Sequence, residues 1–223
     1  MKWIREQSLS LFFLLLFLAT VFAQSFAGQH AYNAEQLAHD SEPLSWARYV
    51  VSSHFGQAVL ENWQSEWLQF MVFTIATIWL LQKGSNESKQ LDQAGLESDQ
   101  RQRVRGYADE RSPLWAKVDG ARRRIYENSF LIVMTVIFLL SWLVQSLTGW
   151  NDFNDEQRQH GEATVSWLTY LDRADFWENT LQNWQSEFLA VGTMVVFTIY
   201  LRQRGSPESK PVGAPHDETA SSG

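Results

Sequence analysis

The sequence predicts an all-α membrane protein, in which four transmembrane helices form two parallel tandem helical-hairpin repeats with short amphipathic helices in the outer loops. Three observations predict it. Four apolar runs begin at Leu9, Trp67, Phe130 and Phe188. The segment from Ser8 to Lys89 aligns without a gap on Ser129 to Lys210, an offset of 121 residues. Of the 18 basic residues, all but Arg48, Arg158 and Arg173 fall outside the two long loops that the apolar runs enclose. Self-similarity at a fixed offset signals copies of one structural unit.

The first repeat covers 1–90, with spans at about 9–27 and 64–82. A charged linker occupies 91–127, the second repeat covers 128–210 with spans at about 129–148 and 185–202, and 211–223 reads as a disordered tail. The first and third runs are long enough for the roughly 20 residues a helix needs to cross about 30 Å of hydrocarbon. The second and fourth are shorter and borrow polar residues from the repeated motif NWQSE, at Asn62 and again at Asn183. Lys2, Arg5 and the stretch Val21-Phe22-Ala23 also resemble a cleavable signal peptide. Against that, Gln24-Ser25 aligns on Gln145-Ser146 inside a segment that is no leader, so both segments read as anchors.

Each repeat has an even number of spans, so the copies share one orientation, as parallel repeats do. Basic residues concentrate on the cytoplasmic side of membrane proteins. The linker and both termini are therefore expected in the cytoplasm of a bacterium, with the chain in its inner (plasma) membrane and the loops 28–65 and 149–186 facing outward.

In those loops Asn33–Gln36 and Asn154–Gln157 fit a variant capping box and predict a short helix ending at His39 or His160, with Gly161 as a stop. Ser45 and Ser166 predict the start of a second short helix. Asp175 to Glu178 predicts a longer one that continues through NWQSE into the fourth span. At the inner ends, Gln82-Lys83-Gly84 and Gln203-Arg204-Gly205 read as helix stops, with a cation in the last turn and glycine just beyond it.

Composition removes several functions. With 18 basic against 25 acidic residues and a net charge of -7 there is no global footprint for nucleic acid. Without cysteine there is no disulfide, zinc-thiolate cluster or cysteine nucleophile. A mean hydropathy of -0.26 averages apolar blocks with polar ones. No triad, P-loop, zinc motif or dinucleotide fingerprint occurs.

What chemistry there is sits in the repeated motifs. On a continuous helix Asn62 and Glu66 are i,i+4 neighbours, as are Asn183 and Glu187, so each pair makes a polar strip at the mouth of a span. Paired carboxylates in low-dielectric surroundings can bind a cation or relay a proton; the plainer reading ties outer helices to the spans in headgroup water. Trp63 and Trp184 are expected to anchor at the membrane interface. Glu35/His39 and Glu156/His160 are i,i+4 pairs. Metal ligation is the lesser reading of them, since bundle metal sites use Glu-His at i,i+3, and a side-chain pair at a helix end is the simpler one. His30 and His54 align on Asn151 and Asp175, which argues against a symmetric histidine site.

The combination of RxxSLSLxFLxLFL, Gln-Ser-x-x-Gly, Tyr-Asn-x-Glu-Gln, ENWQSEWLQ and QKGSxESK resembles an uncharacterised family of bacterial integral membrane proteins known as a domain of unknown function. The resemblance covers nearly the whole chain except linker and tail. It implies a four-span plasma-membrane protein and brings no substrate, cofactor or catalytic residue. The expectation is a non-enzymatic role in envelope interaction or assembly. The alternative is a small transporter or ion-conducting oligomer using the Glu66/Glu187 strip. The bilayer, a second copy or another membrane protein are the expected partners, with no cofactor and no nucleic acid.

Overall fold

The computed structural model describes residues 2–39 and 41–220. Among them there are helices and turns and no strand. A first turn, α1 (Lys2–Glu6), precedes α2 (Ser8–Ala38). A short α3 (Trp46–Tyr49) leads into α4 (Ser53–Trp79). The linker holds a 3₁₀ turn (Arg105–Tyr107), α5 (Leu114–Lys117) and α6 (Ala121–Glu127). Then come α7 (Ser129–Gln159), α8 (Trp167–Leu171) and α9 (Ala174–Tyr200). The starts of α2, α3 and α4 recur at the starts of α7, α8 and α9 with the same offset of 121 that the sequence carries.

Two helices, α2 and α7, are long and apolar enough to cross a membrane, each with 31 residues. Only 6% and 22% of their most apolar windows are buried. Leu9, Leu15 and Phe22 are 71%, 66% and 58% exposed. A core helix of a water-soluble domain would have this surface covered, because contiguous exposed apolar area is costly in water.

Three expectations about boundaries need correction. Asn33 and Asn154 do not begin new helices; both lie inside α2 and α7, which run on unbroken beyond the expected ends at residues 27 and 148. Gly28 and Gly149 do not stop them. Instead they make room for a ring, since a Cβ there would stand 2.3 Å from the Tyr49 hydroxyl and 2.6 Å from that of Tyr170. Second, α4 and α9 end at Trp79 and Tyr200, before the expected stops. Gly84 and Gly205 adopt φ of 83° and 85° in the loops that follow, where the Ser88 and Ser209 hydroxyls accept the backbone N–H of Gln82 and Gln203 at 2.9 and 2.8 Å. Third, Asp175 does not precede its helix, since α9 begins one residue earlier at Ala174. Residues 211–220 form a segment laid down as turns, and 221–223 lie outside the described residues. The Lys210 ammonium holds it, donating to the carbonyls of Gly84, Pro215, His216 and Glu218 at 2.8–3.1 Å. An ammonium has three protons, so one of these four contacts is shared.

The other local expectations hold. Ser45 and Ser166 precede α3 and α8, the Ser166 hydroxyl accepting the Thr169 N–H. Gly161 stands at φ 71° just past α7. Both NWQSE motifs lie within single continuous helices, α4 and α9.

By contact the chain divides into two compact units. One comprises Met1–Leu60 and Leu143–Phe176, the other Glu61–Trp142 and Trp177–Gly223.

In the first unit the outer loops fold back on α2 and α7 through side chains that imitate backbone. The Asn33 amide donates to the Leu44 carbonyl at 2.8 Å and accepts the Leu44 N–H at 2.7 Å. Asn154 does the same to Val165 at 3.0 and 2.9 Å. The Trp46 indole donates to the Ser25 hydroxyl, and Trp167 to Ser146. Each loop thereby satisfies polar groups that would otherwise be costly to bury.

In the second unit Phe138, Trp142, Trp177 and Trp184 make a ring cluster, with Trp142 stacked on Phe138 and 5.8 Å from Trp184. Here too Arg123 of α6, almost fully buried, reaches back to Asp99 of the linker at 3.8 Å and pairs within its own helix with Glu127 at 2.9 Å.

Candidate functional site

Two concentrations of polar side chains contain the residues that the sequence singles out, one in each compact unit. In the first, the last turns of α2 and α7 and the first turn of α4 surround a cavity of about 110 Å³ lined by Tyr32, Glu35, Gln36, His54, Asp152 and Glu156, among others. Helical spacing puts Tyr32, Glu35 and Gln36 on neighbouring turns of α2 with His39 just past its end, and Asp152, Asp155 and Glu156 at the corresponding end of α7 with His160 just past it.

The best-defined contact there is His54 Nδ1 to Asp152 Oδ2 at 3.1 Å. The Tyr32 ring lies 5.0 Å from the His54 ring and 5.7 Å from Tyr49. Burial, and then the Asp152, Asp155 and Glu35 carboxylates, push the Tyr32 hydroxyl above its ordinary value. Burial and Asp152 do the same to Tyr49. Both phenols therefore remain neutral donors at neutral pH.

The structure brings the four suggested metal ligands to the same end of the unit. Glu35 and Glu156 line the cavity, and the His39 and His160 rings meet edge to face at 5.5 Å. Even so, among the described residues no three His, Asp or Glu side chains are grouped closely enough to hold a metal ion. The rings meet edge to face and the Gln159 amide donates to Gln36 Oε1, so the helix ends meet through side-chain pairs.

The His54–Asp152 pair is what residue patterns missed. His54 looked uninformative because its aligned residue is Asp175. Asp152 likewise aligns on Ala31. Two positions where the copies disagree are each other's partners, and paired disagreement is the signal that would have found them.

The second concentration is the NWQSE pair. Asn62, Trp63 and Glu66 lie on α4, and Asn183, Trp184 and Glu187 on α9. The Asn183 amide donates to the Asn179 carbonyl, and the Ser65 and Ser186 hydroxyls donate to the carbonyls of Asn62 and Asn183. Most of the motif's polar atoms thus serve their own helix. Trp184 turns into the ring cluster and its indole donates to Gln64 Oε1 at 2.7 Å. Gln64 is fully buried and Ser65 nearly so, whereas Gln185 and Ser186 are exposed. Glu66 and Glu187 belong to the same unit.

The geometry defines an all-helical protein with two helices fit to cross a membrane and polar structure gathered at the helix ends. Over residues 1–221 the chain matches the family described as Domain of unknown function (DUF6766), and it belongs to that family. No curated protein and no solved structure matches the chain.

Proposed function

We propose that the chain is a multi-pass bacterial plasma-membrane protein that crosses four times as two like-oriented hairpins. Its outer loops form a folded, non-enzymatic platform for envelope interaction or assembly. The observation that carries this reading is the pair of long helices whose apolar faces are left almost bare, a surface that only lipid or another apolar partner covers cheaply. The recurrence of helix starts at the offset of 121 supports giving α4 and α9 the same role in each hairpin. The basic residues of the linker support its cytoplasmic placement. The loop clamps at Asn33 and Asn154 support a rigid outer surface, suited to docking.

Reporter fusions after Glu42 and Glu162 should both read as outside, and fusions after Asp92 and Lys210 as inside. Opposite readings at Glu42 and Glu162, or a mature chain that begins after Ala23, would overturn the topology.

A second reading rests on Glu66 and Glu187, the carboxylates of the two repeated motifs, which belong to one compact unit. In it the strip conducts protons or cations, within an oligomer. Liposomes holding the purified chain decide between the two: a cation flux lost in the Glu66→Gln/Glu187→Gln variant supports conduction, and no flux at any pH supports the platform.

A further inference from the structure

Where the linker meets α6 and the start of α7, an open cavity of about 650 Å³ is lined by Arg103, Arg111, Ser112, Tyr126 and Ser129. We infer that this cavity binds a phosphomonoester group.

The charge balance comes first. Some cations in and beside the linker are occupied: Arg105 with Asp99 and Asp119, Arg123 with Glu127, and Lys89 with Glu97. Arg103 and Arg111 are not; among the described residues neither has a carboxylate within ion-pair distance. Two acidic residues share the lining, Asp109 and Glu127. Glu127 is neutralised by Arg123 at 2.9 Å, and Asp109 accepts the Arg111 backbone N–H at 2.8 Å. The cavity therefore presents two guanidiniums against one carboxylate without a cation of its own, a balance that suits an anion.

Donor geometry points the same way. The Ser112 hydroxyl accepts the Asp109 N–H at 3.0 Å, which leaves its own proton to give. Tyr126 adds a phenolic donor. Ser129 is spent on the Tyr126 carbonyl at 2.8 Å and contributes shape only. Two forked guanidiniums and two hydroxyls match the oxygens of a phosphate, which arginine grips through paired N–H groups. A phosphomonoester, with its second pKa near 6, is close to a dianion at neutral pH and makes fuller use of two arginines than a diester does.

Backbone conformation adds an independent observation. Arg103 sits at φ 50°, closing a turn in which the Val104 N–H reaches the Asp99 carbonyl at 3.1 Å. That left-handed position is one that glycine fills without steric cost and other residues do not. Arg105 shares that conformation at φ 57° but is taken up by Asp99 and Asp119, so of the two arginines in this turn Arg103 is the one that lines the cavity.

A lipid headgroup and free phosphate are the two sources of such a group, and two titrations of the full-length chain in detergent micelles separate them. One uses inorganic phosphate; the other uses mixed micelles carrying phosphatidic acid, with phosphatidylcholine as the control. Saturable binding in either titration is expected. It should weaken by about tenfold or more in Arg103→Gln/Arg111→Gln and stay unchanged in Arg122→Gln, whose side chain is not part of the lining. Should the double variant unfold, Arg111→Gln alone is the measure, because its guanidinium makes no structural bond. Absence of binding in both titrations overturns the site. So does an equal loss in Arg122→Gln, which would mean diffuse attraction to basic charge. Neither titration depends on which side of a membrane the linker faces, so failure here leaves the proposed topology standing.

Discussion

The two segments related by the offset of 121 agree in how they treat backbone and differ in how they treat rings and charge. Asn33 and Asn154 clamp Leu44 and Val165 with the same pair of hydrogen bonds. Trp46 and Trp167 reach Ser25 and Ser146, and Ser88 and Ser209 accept the N–H of Gln82 and Gln203 in the loops after α4 and α9. At aligned ring positions the segments part. Tyr32 faces His54, whereas Phe153 is covered by the Arg173 guanidinium at 4.5 Å. Lys89 donates to one carbonyl beyond its loop, that of Gly95, whereas Lys210 is buried among four. The lesson is physical. A loop that leaves N–H and C=O groups unmet is costly wherever it occurs, so those devices are kept, while rings and charges need only suit their own neighbours.

Three experiments break or sharpen that comparison. The largest effect is expected where the segments agree. Asn33→Ala and Asn154→Ala each strip two partners from a loop backbone and should lower stability by about 1–3 kcal/mol per site. Thermal unfolding of the purified chain should fall for both, and further for the double variant. Asn33→Asp keeps the acceptor and loses the donor, so it should fall between the parent and Asn33→Ala. A neutral result at one site would end the claim that the clamps are equivalent.

Next comes a contrast within the repeated motif. Gln64 is buried and accepts the Trp184 indole, while Gln185 is exposed. Gln64→Ala should cost about 1–3 kcal/mol because it orphans a buried donor, and Gln185→Ala should stay within about 0.5 kcal/mol of the parent. Equal effects would mean that the two motifs occupy equivalent surroundings after all.

The smallest effect concerns Glu87 in the GSNESK loop. Burial and then the nearby Glu208 raise its carboxyl above the ordinary 4.5. The folded chain thus holds that proton to a higher pH than the unfolded chain does. Its favourable contribution is complete below about pH 4.5 and is lost as pH rises through the folded value. Glu87→Gln should therefore leave stability unchanged in acid and raise it slightly at neutral pH, as read from unfolding midpoints across the range. A fall at neutral pH would show that the carboxylate is held by something stronger than its repulsion.

Much of this was legible in residue order, and the reasons are local. Ser166 marks a helix start because its hydroxyl accepts the Thr169 N–H, whereas Ser45 precedes α3 in the same extended backbone without a side-chain cap. The α2 and α7 runs declare themselves by length and hydropathy. The ends of those helices were misjudged because an asparagine inside a helix and an asparagine capping one look alike in sequence. What separates them is the partner, eleven residues away at Leu44.

By itself the sequence determined an all-helical chain, two apolar helices fit for a bilayer, the recurrence at 121 residues and the absence of thiol chemistry, since each follows from composition or short-range periodicity. Only the tertiary structure decided that His54 meets Asp152 across 98 residues and that Trp184 meets Gln64 across 120. It also decided that Arg103 and Arg111 share a cavity. Those pairings come from how separate helices and loops pack in space, and neither spacing along one helix nor a cap motif records which distant side chain arrives opposite.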